Sequence, residues 1–502
     1  MNALLDRAPV LVGVGEITQR TKDPAQALEP LALMEAALRA ADEDAGGGLL
    51  AQLDSLDVVA EYSWPYPDAP GQLCERLRIR PARRAYGEVG GESPVRFIHE
   101  AALRIARGET TVAAVVGAEA NYAVAAAEKA QATLPWSPRD PAAKLVRGVD
   151  YLNPLAVRLG VASPATVYPF YENAATVAWG QTPRQALDES GRLWASCSAV
   201  AAANPHAWQR EALTADQVTT PMPGNRRVAW PYTVRMVANP LVNQGAAVLL
   251  MSRGRARQLG IPDERLVFVV CGAAAKEPAD YLLRDQYERS HAQEAVLEDV
   301  LGQVGGIGTF RQVELYSCFP IVPKMARRTL ALPAAATVTS TGGLSFFGAP
   351  LNNYMTHACA ALVRGLRGQH GAVALLYGQG GYLTSHHAIV LASAPPPTSM
   401  LDDEYSVQGD ADARRGGVPP LALDHTGTAT VETHTVLYGR DGAPTHGVVI
   451  LRTPAGGRLL ARVDPREHDT LAALTDLDRT PIGRPGIVTR AEDGTPHWSI
   501  DP

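Results

Sequence analysis

Tyr316-Ser317-Cys318-Phe319 puts a phenol and a thiol in one short segment, at the end of a run that reads as a strand. A phenol has an unperturbed pKa near 10, so Tyr316 suits a hydrogen-bond donor or general acid; packing against a cleft wall is the alternative. A small buried residue at a strand end is the alternative for Cys318. In Gly90-Gly91-Glu92-Ser93-Pro94, Ser93 is a nucleophile only with a base beside it, and none stands near it in sequence. Ser followed by Pro otherwise suits a helix N-cap and first turn. The glycines of Tyr377-Gly378-Gln379-Gly380-Gly381 let backbone approach a ligand and offer N–H groups to a ligand oxygen, or else form a plain turn. His386 and His387 follow closely; His386 stands where it would face a cleft, unless it is a satisfied structural histidine.

The elements that must position these groups alternate. Val10 to Gly15 reads as a buried strand, Leu31 to Ala41 has helical spacing, and Leu56 to Ala60 returns to strand. A helix is expected from about Pro94 to Arg107, then a β-branched strand from Thr111 to Gly117. From Asn121 to about Tyr232 the pattern breaks into Pro, Trp, Tyr and Asn clusters, with one helix expected from Pro183 to Ala201. So large an excursion between strands is usually a lid or binding segment. Strands resume at Gln244–Met251, Leu266–Gly272, Val313–Phe319, Gly371–Tyr377 and His387–Ala392, with a helix after Pro350. Alternation predicts a mainly parallel sheet covered on both faces, and the two series end alike, which suggests a duplicated α/β unit.

Domain limits follow: a first half over 1–255 containing the 121–232 excursion, a second half over 256–393, and a proline-rich linker at 394–399. Beyond it, over 400–502, periodicity shifts toward two and Gly439-Arg440-Asp441-Gly442 supplies a hairpin turn. A small β-rich, OB-like barrel is expected there.

The 502 residues suit two or three domains, and 46% hydrophobic with 20% charged residues is a globular composition. A net charge of −6 without a dense Lys/Arg run argues against nucleic acid. No apolar run of about 18 residues appears, so no membrane span is expected. The N-terminus does not read as a signal peptide, and the five scattered cysteines read as reduced thiols, so a cytoplasmic setting is expected. Neither CxxC nor HExxH occurs, so no metal site is expected.

Gly342-Gly343-Leu344-Ser345-Phe346-Phe347-Gly348-Ala349-Pro350 resembles the GG…GHP loop of thiolases, with the catalytic histidine replaced by Ala349. Asn225 to Thr233, Asn239, Val242 to Ala247 and Gly380 to Thr384 resemble the sterol-carrier-associated branch and thiolase-like proteins with an extra C-terminal domain, many of them named acetyl-CoA acetyltransferases. The resemblance covers roughly residues 8–393. It implies an α/β thiolase fold of two duplicated halves in an αβαβα arrangement, plus the C-terminal β-rich domain. It places Glu92, or else Ser93, at the nucleophilic cysteine's position, and it makes Cys318 the surviving acid/base candidate. Tyr316 also resembles the proton-transferring tyrosine of thiolase-like retro-aldolases. Gly343, Gly348, Gly378, Gly380 and Gly381 are the implied ligand-binding glycines. His357 lies about two helical turns, about 10 Å, from Ala349 and so is no substitute for the missing histidine.

With nucleophile and loop histidine both absent, ordinary thiolase chemistry is disfavoured. What remains is a thiolase-like protein acting on acyl-CoA or a related thioester by retro-aldol-type C–C chemistry, a non-catalytic acyl-CoA-binding or scaffold protein, or an acyltransferase with another nucleophile. No tightly bound cofactor is expected; CoA or acyl-CoA is the small-molecule partner, with Arg139, Lys144 and Arg147 available for its phosphates. Homodimer and monomer are both open.

Overall fold

The computed structural model describes residues 5–21, 23–396 and 401–500. In chain order the strands are β1 (Pro9–Thr18), β2 (Ser55–Val58), β3 (Arg83–Tyr86), β4 (Val112–Ala120), β5 (Arg227–Ala229), β6 (Tyr232–Thr233), β7 (Asn243–Ser252), β8 (Val267–Lys276), β9 (Phe310–Leu315), β10 (Val373–Gly380) and β11 (Ser385–Ala392). The barrel adds β12 (Gly427–Tyr438), β13 (Pro444–Arg452), β14 (Arg458–Val463), β15 (Pro485–Arg490) and β16 (Pro496–Ile500).

The duplication is real and visible in the register. The large sheet runs β3-β2-β4-β7-β1-β8-β11-β10-β9. Only two residue pairs, Val10 with Phe268 and Leu11 with Val267, join β1 to β8, so the sheet is two halves meeting at a seam. Each half is wound alike: β1-β7-β4-β2 matches β8-β11-β10-β9, antiparallel, antiparallel, then parallel.

The sheet is therefore mixed, not mainly parallel as the alternation suggested. In the second half only Gly381–Thr384 separates β10 from β11, far too short for a parallel crossover. In the first half the whole excursion stands in the place of that turn, between β4 and β7. It is richer in helix than expected, with Asn121–Ala130, Pro164–Ala178 and Pro183–Ala203 its longest.

The helices Ser93–Arg107 and Tyr354–Leu366 pack on each other and on strands of both halves, while Pro30–Asp44 covers the outside of the first half and His291–Gln303 that of the second. The result is the αβαβα layering. The central helices are amphipathic and their apolar faces are fully buried, as with Val95, Ile98, Ala101, Ala102, Met355, Ala358 and Leu362.

The C-terminal strands close as β12-β13-β14-β16-β15-β12, with β14 and β16 parallel at Arg462 and His497 and the helix His468–Leu474 between β14 and β15. This closed five-stranded order is OB-like. The barrel proper starts at Gly427; Tyr405 to Val407 instead line up on β8, and the helix Gln408–Arg414 packs on His291–Gln303. Residues 397–400, where half of the expected 394–399 linker falls, lie outside the described residues.

Barrel and excursion share a sheet, since β5 and β6 extend it through Leu437 and Ala229. Thr433 Oγ donates to the Phe170 carbonyl at 2.6 Å, and Asn173 Nδ2 to that of His434 at 2.8 Å. Arg458, fully buried, pairs with Glu432 at 2.6 Å and donates to the Leu282 carbonyl at 2.9 Å and to that of Arg284. Arg284 in turn donates to the carbonyls of Tyr382 at 2.9 Å and Leu383 at 2.7 Å, in the turn after β10.

Candidate active site

Glu92 stands at the N-cap of the central helix Ser93–Arg107, but its side chain does not cap that helix. The carboxyl folds instead into a slot between two glycines. An ideal Cβ on Gly380 would lie 2.0 Å from Glu92 Oε2, and one on Gly90 would lie 2.4 Å from it. Gly90 is itself held by Asn352, whose Oδ1 accepts its N–H at 3.1 Å. Oε2 is buried and meets no hydrogen-bond donor among the described residues. Burial pushes the Glu92 carboxyl up to about 7, against the weaker downward pull of its own backbone N–H, Arg96, Lys276 and Ser385.

Tyr316 comes at the mouth of the same slot. Its N–H continues the ladder by donating to the Tyr377 carbonyl at 3.0 Å. Its hydroxyl points at Gly91, where an ideal Cβ would be 2.4 Å from it. Burial, with the nearby Cys318 and Glu92 adding, lifts the phenol well above its ordinary value, so it stays protonated and presents an O–H donor.

Cys318 belongs to a second cluster. Gln379 Nε2 donates to its Sγ at 3.3 Å and to the Tyr168 hydroxyl at 2.8 Å. The Tyr168 ring stacks on Phe319 at 4.4 Å, and its hydroxyl donates to the Gly381 carbonyl at 3.0 Å. Burial pushes the thiol up to about 12 despite the nearby Tyr168 hydroxyl and the hydrogen bond from Gln379. Cys318 is a neutral thiol here, not a thiolate. Behind it, Tyr232 donates to Glu172 at 2.8 Å, and Glu172 pairs with the fully buried Lys324.

Several expected roles need correction. Ser93 is the first helical residue, not the cap, and its Oγ donates to the Gly90 carbonyl at 2.6 Å; with its proton held there it is no activated nucleophile. His386 does not open onto the cleft. Its Nδ1 meets the Tyr377 hydroxyl at 2.7 Å and its Nε2 meets Ser290 Oγ and the Leu383 carbonyl at 3.1 Å, while burial drops its pKa to about 4. Gly378 and Gly380 pair with His387 and Ser385 in the antiparallel ladder, so their backbone groups turn toward β11. By the same alternation Gln379 turns its backbone toward β9 and the slot, and its carbonyl lies 2.5 Å from an ideal Cβ on Gly91. Gly378 and Gly380 thus make room: a Cβ on Gly378 would come 3.0 Å from the Cα of Glu92.

Gly381 (φ +66°) turns the chain and lends its carbonyl to Tyr168. Gly343 and Gly348 shape the loop that ends at the buried Ala349. Cβ atoms there would meet Ser317 Oγ at 2.9 Å and Gln244 Oε1 at 2.6 Å. His357 bonds Glu16 at 2.7 Å in the core, as its spacing from Ala349 implied, and His387 pairs with His99 at 2.9 Å. Arg139, Lys144 and Arg147 are exposed on the excursion.

Tyr168, Gln379 and the Tyr232–Glu172–Lys324 chain were not singled out from sequence. Their one signal is the polar and aromatic run Tyr168–Asn173, too rich for a plain surface helix. Among the described residues no cluster of three or more His, Cys, Asp or Glu suits a metal ion, and no helix is long and apolar enough to cross a membrane.

Residues 410–495 match the model of the thiolase-like protein type 1 additional C-terminal domain. The chain is similar to the crystal structure of a monomeric SCP2-thiolase-like protein type 1 from Mycobacterium smegmatis, at 27% identity and a TM-score of 0.83 over 99% of both chains. The Ltp2–ChsH2(DUF35) aldolase shares the fold at 18% identity and a TM-score of 0.59, over 78% of this chain and 99% of its own. Human mitochondrial 3-ketoacyl-CoA thiolase in complex with CoA does so at 15% and 0.57, over the same shares. No curated protein matches the chain.

Proposed function

We propose that this chain, which is similar to a thiolase-like protein type 1 and matches the additional C-terminal domain of that type over residues 410–495, makes or breaks a C–C bond in an acyl thioester of the CoA type by a retro-aldol route, with no acyl-enzyme. One observation carries this reading: a carboxyl at a helix N-terminus, raised to about 7 by burial and with its buried Oε2 unpartnered among the described residues, close to a buried phenol. A carboxyl and a phenol are a proton-transfer pair, whereas a thiolase step needs a thiolate at that place.

In the cleavage direction the substrate is a 3-hydroxyacyl thioester. The Glu92 carboxylate takes the hydroxyl proton, the C2–C3 bond breaks, and C3 leaves as an aldehyde or ketone. The electron pair passes to C2 and the thioester carbonyl as an enolate. Tyr316 protonates C2, and the resulting phenolate recovers a proton from the Glu92 carboxylic acid. The net change moves one proton from the hydroxyl to C2. The Gln379 N–H, on the same side of β10 as the carbonyl that faces Gly91, polarises the thioester oxygen.

Acyl transfer through Ser93 is disfavoured because its Oγ proton is held by the Gly90 carbonyl at 2.6 Å. Binding without turnover is the second reading, favoured by how closed the cluster is, with Tyr316 and Cys318 each 7% exposed. Glu92→Gln and Tyr316→Phe decide between them. Turnover of a 3-hydroxyacyl-CoA falling by about 100-fold or more in each, with ester binding kept, supports the retro-aldol reading; binding without turnover in the unaltered protein supports the other.

A further inference from the structure

Away from the Glu92 slot, a groove of about 840 Å³ opens where the excursion meets the barrel. One wall is Pro221 to Gly224 with Arg226, Arg227 and Val234; the other is Tyr438 and the β12–β13 turn with Arg440 and Pro444. Asp441 is the one acidic residue lining it, against these arginines, in a chain whose net charge is −6. Its Oδ1 is occupied by the turn, accepting the Ala443 N–H at 3.1 Å.

None of these guanidinium groups is ion-paired among the described residues. Arg226 donates to the neighbouring Arg227 carbonyl at 2.8 Å. Arg227 lies 4.7 Å over the Trp230 ring and 5.9 Å from that of Tyr438, which fixes its plane at the junction of the two walls. Arg440 is exposed on the turn. Beside the charges stand Met222 and Val234, both 39% exposed, so the groove is apolar as well as cationic. Arginine forks of this kind match phosphate oxygens two at a time. Several of them around an apolar floor, in a space of several hundred Å³, suit a polyphosphate joined to a ring system. In OB-like barrels the loop between the first two strands commonly faces ligand, and here that loop carries Arg440.

We propose that this groove binds a ligand of the nucleoside diphosphate class, its phosphates held by Arg226, Arg227 and Arg440 and its ring or arm lying against Met222 and Val234. The barrel then supplies half of a binding site. That chemistry has two sources, a free nucleotide and the nucleotide end of a CoA ester. The site stands whether or not the Glu92 slot turns over substrate.

The test is calorimetric titration of the full chain with ADP, with CoA and with inorganic phosphate, at low and high salt. The same titrations follow on Arg440→Glu and Arg226→Glu, whose unliganded melting temperatures report folding. The expected result is saturable ADP binding, at least about tenfold tighter than phosphate and weakened by salt, with each variant losing about tenfold or more. Equal affinity for ADP and CoA marks a free-nucleotide site; CoA about tenfold tighter, with ADP competing, marks the end of a CoA ester. Absence of binding by ADP and CoA at about 1 mM, or binding unchanged in both folded variants, overturns the proposal.

Discussion

The carboxyl of Glu92 fills the space that a side chain on Gly380 would need, since an ideal Cβ there would lie 2.0 Å from Oε2. Each residue explains the other. The carboxyl can turn back from the helix end only because position 380 is bare, and its burial there raises its pKa. Gly380→Ala therefore forces Glu92 out of the slot. The expected outcome is loss of turnover with a stability change within about 1 kcal/mol by urea unfolding, since the displaced atom is the far end of a flexible side chain that leaves an unfavourable burial.

Glu92→Gln has a pH signature. The carboxyl's pKa is raised on folding, from 4.5 to about 7. Below 4.5 both states are protonated and no penalty exists. Between those values the unfolded chain ionises while the folded one resists, so the penalty grows, and it is complete above about 7. The amide variant escapes it. It should match the parent at pH 4 and be more stable at pH 8 by about 1–3 kcal/mol. Paired melting curves at both pH values check this, and a gap that shrinks with rising pH would contradict it. Turnover of the parent should rise with pH through about 7 as the base form appears.

Cys318 should resist alkylation. With its thiol pushed up to about 12, almost none is thiolate at pH 8, and Gln379 and Tyr168 close around it. Iodoacetamide and intact mass should leave it unmodified in the folded protein. Cys318→Ala should lower turnover less than Tyr316→Phe does.

Much of this was legible in the sequence, and the misses have physical causes. Strand–helix alternation and the two similar strand series gave the duplicated halves, and the two-residue periodicity after the linker gave the barrel. Strand direction was not readable, because periodicity shows which face is buried and not how a strand is threaded; the four-residue turn Gly381–Thr384 decides it. In the site, Glu92, Tyr316 and Cys318 stood out by motif. Gln379 and Tyr168 did not, because their contact joins residues 211 positions apart. Gly380 was read as a donor of N–H groups, but its register turns it into the ladder and leaves only its missing side chain to matter.

The barrel should be inseparable from the rest. Arg458 is fully buried between Glu432 and main-chain carbonyls of residues 282–285. Arg458→Met leaves Glu432 with Arg452 alone and those carbonyls without their donor. A loss of about 3–5 kcal/mol in a single cooperative unfolding transition is expected; a separate barrel transition with the remainder unaffected would contradict the coupling.

The chain should be monomeric. One edge of the large sheet is β3, where Arg83 is paired with Asp57 at 2.5 Å and Arg84 charges the strand that a second copy would need to pair with. Light scattering should give 53.4 kDa, and twice that mass would contradict the prediction.

The central claim is proton-transfer chemistry without an acyl-enzyme, and the most direct measurement is mass-resolved turnover. The purified protein is incubated with 3-hydroxyacyl-CoA and 3-ketoacyl-CoA esters of several chain lengths, and products and intact protein are weighed together. The account predicts cleavage of a 3-hydroxy ester to acetyl-CoA or a substituted acetyl-CoA and a carbonyl compound, with the protein mass unchanged. CoA-dependent cleavage of the 3-keto esters, an acyl adduct on the protein, or no turnover of any ester would contradict it.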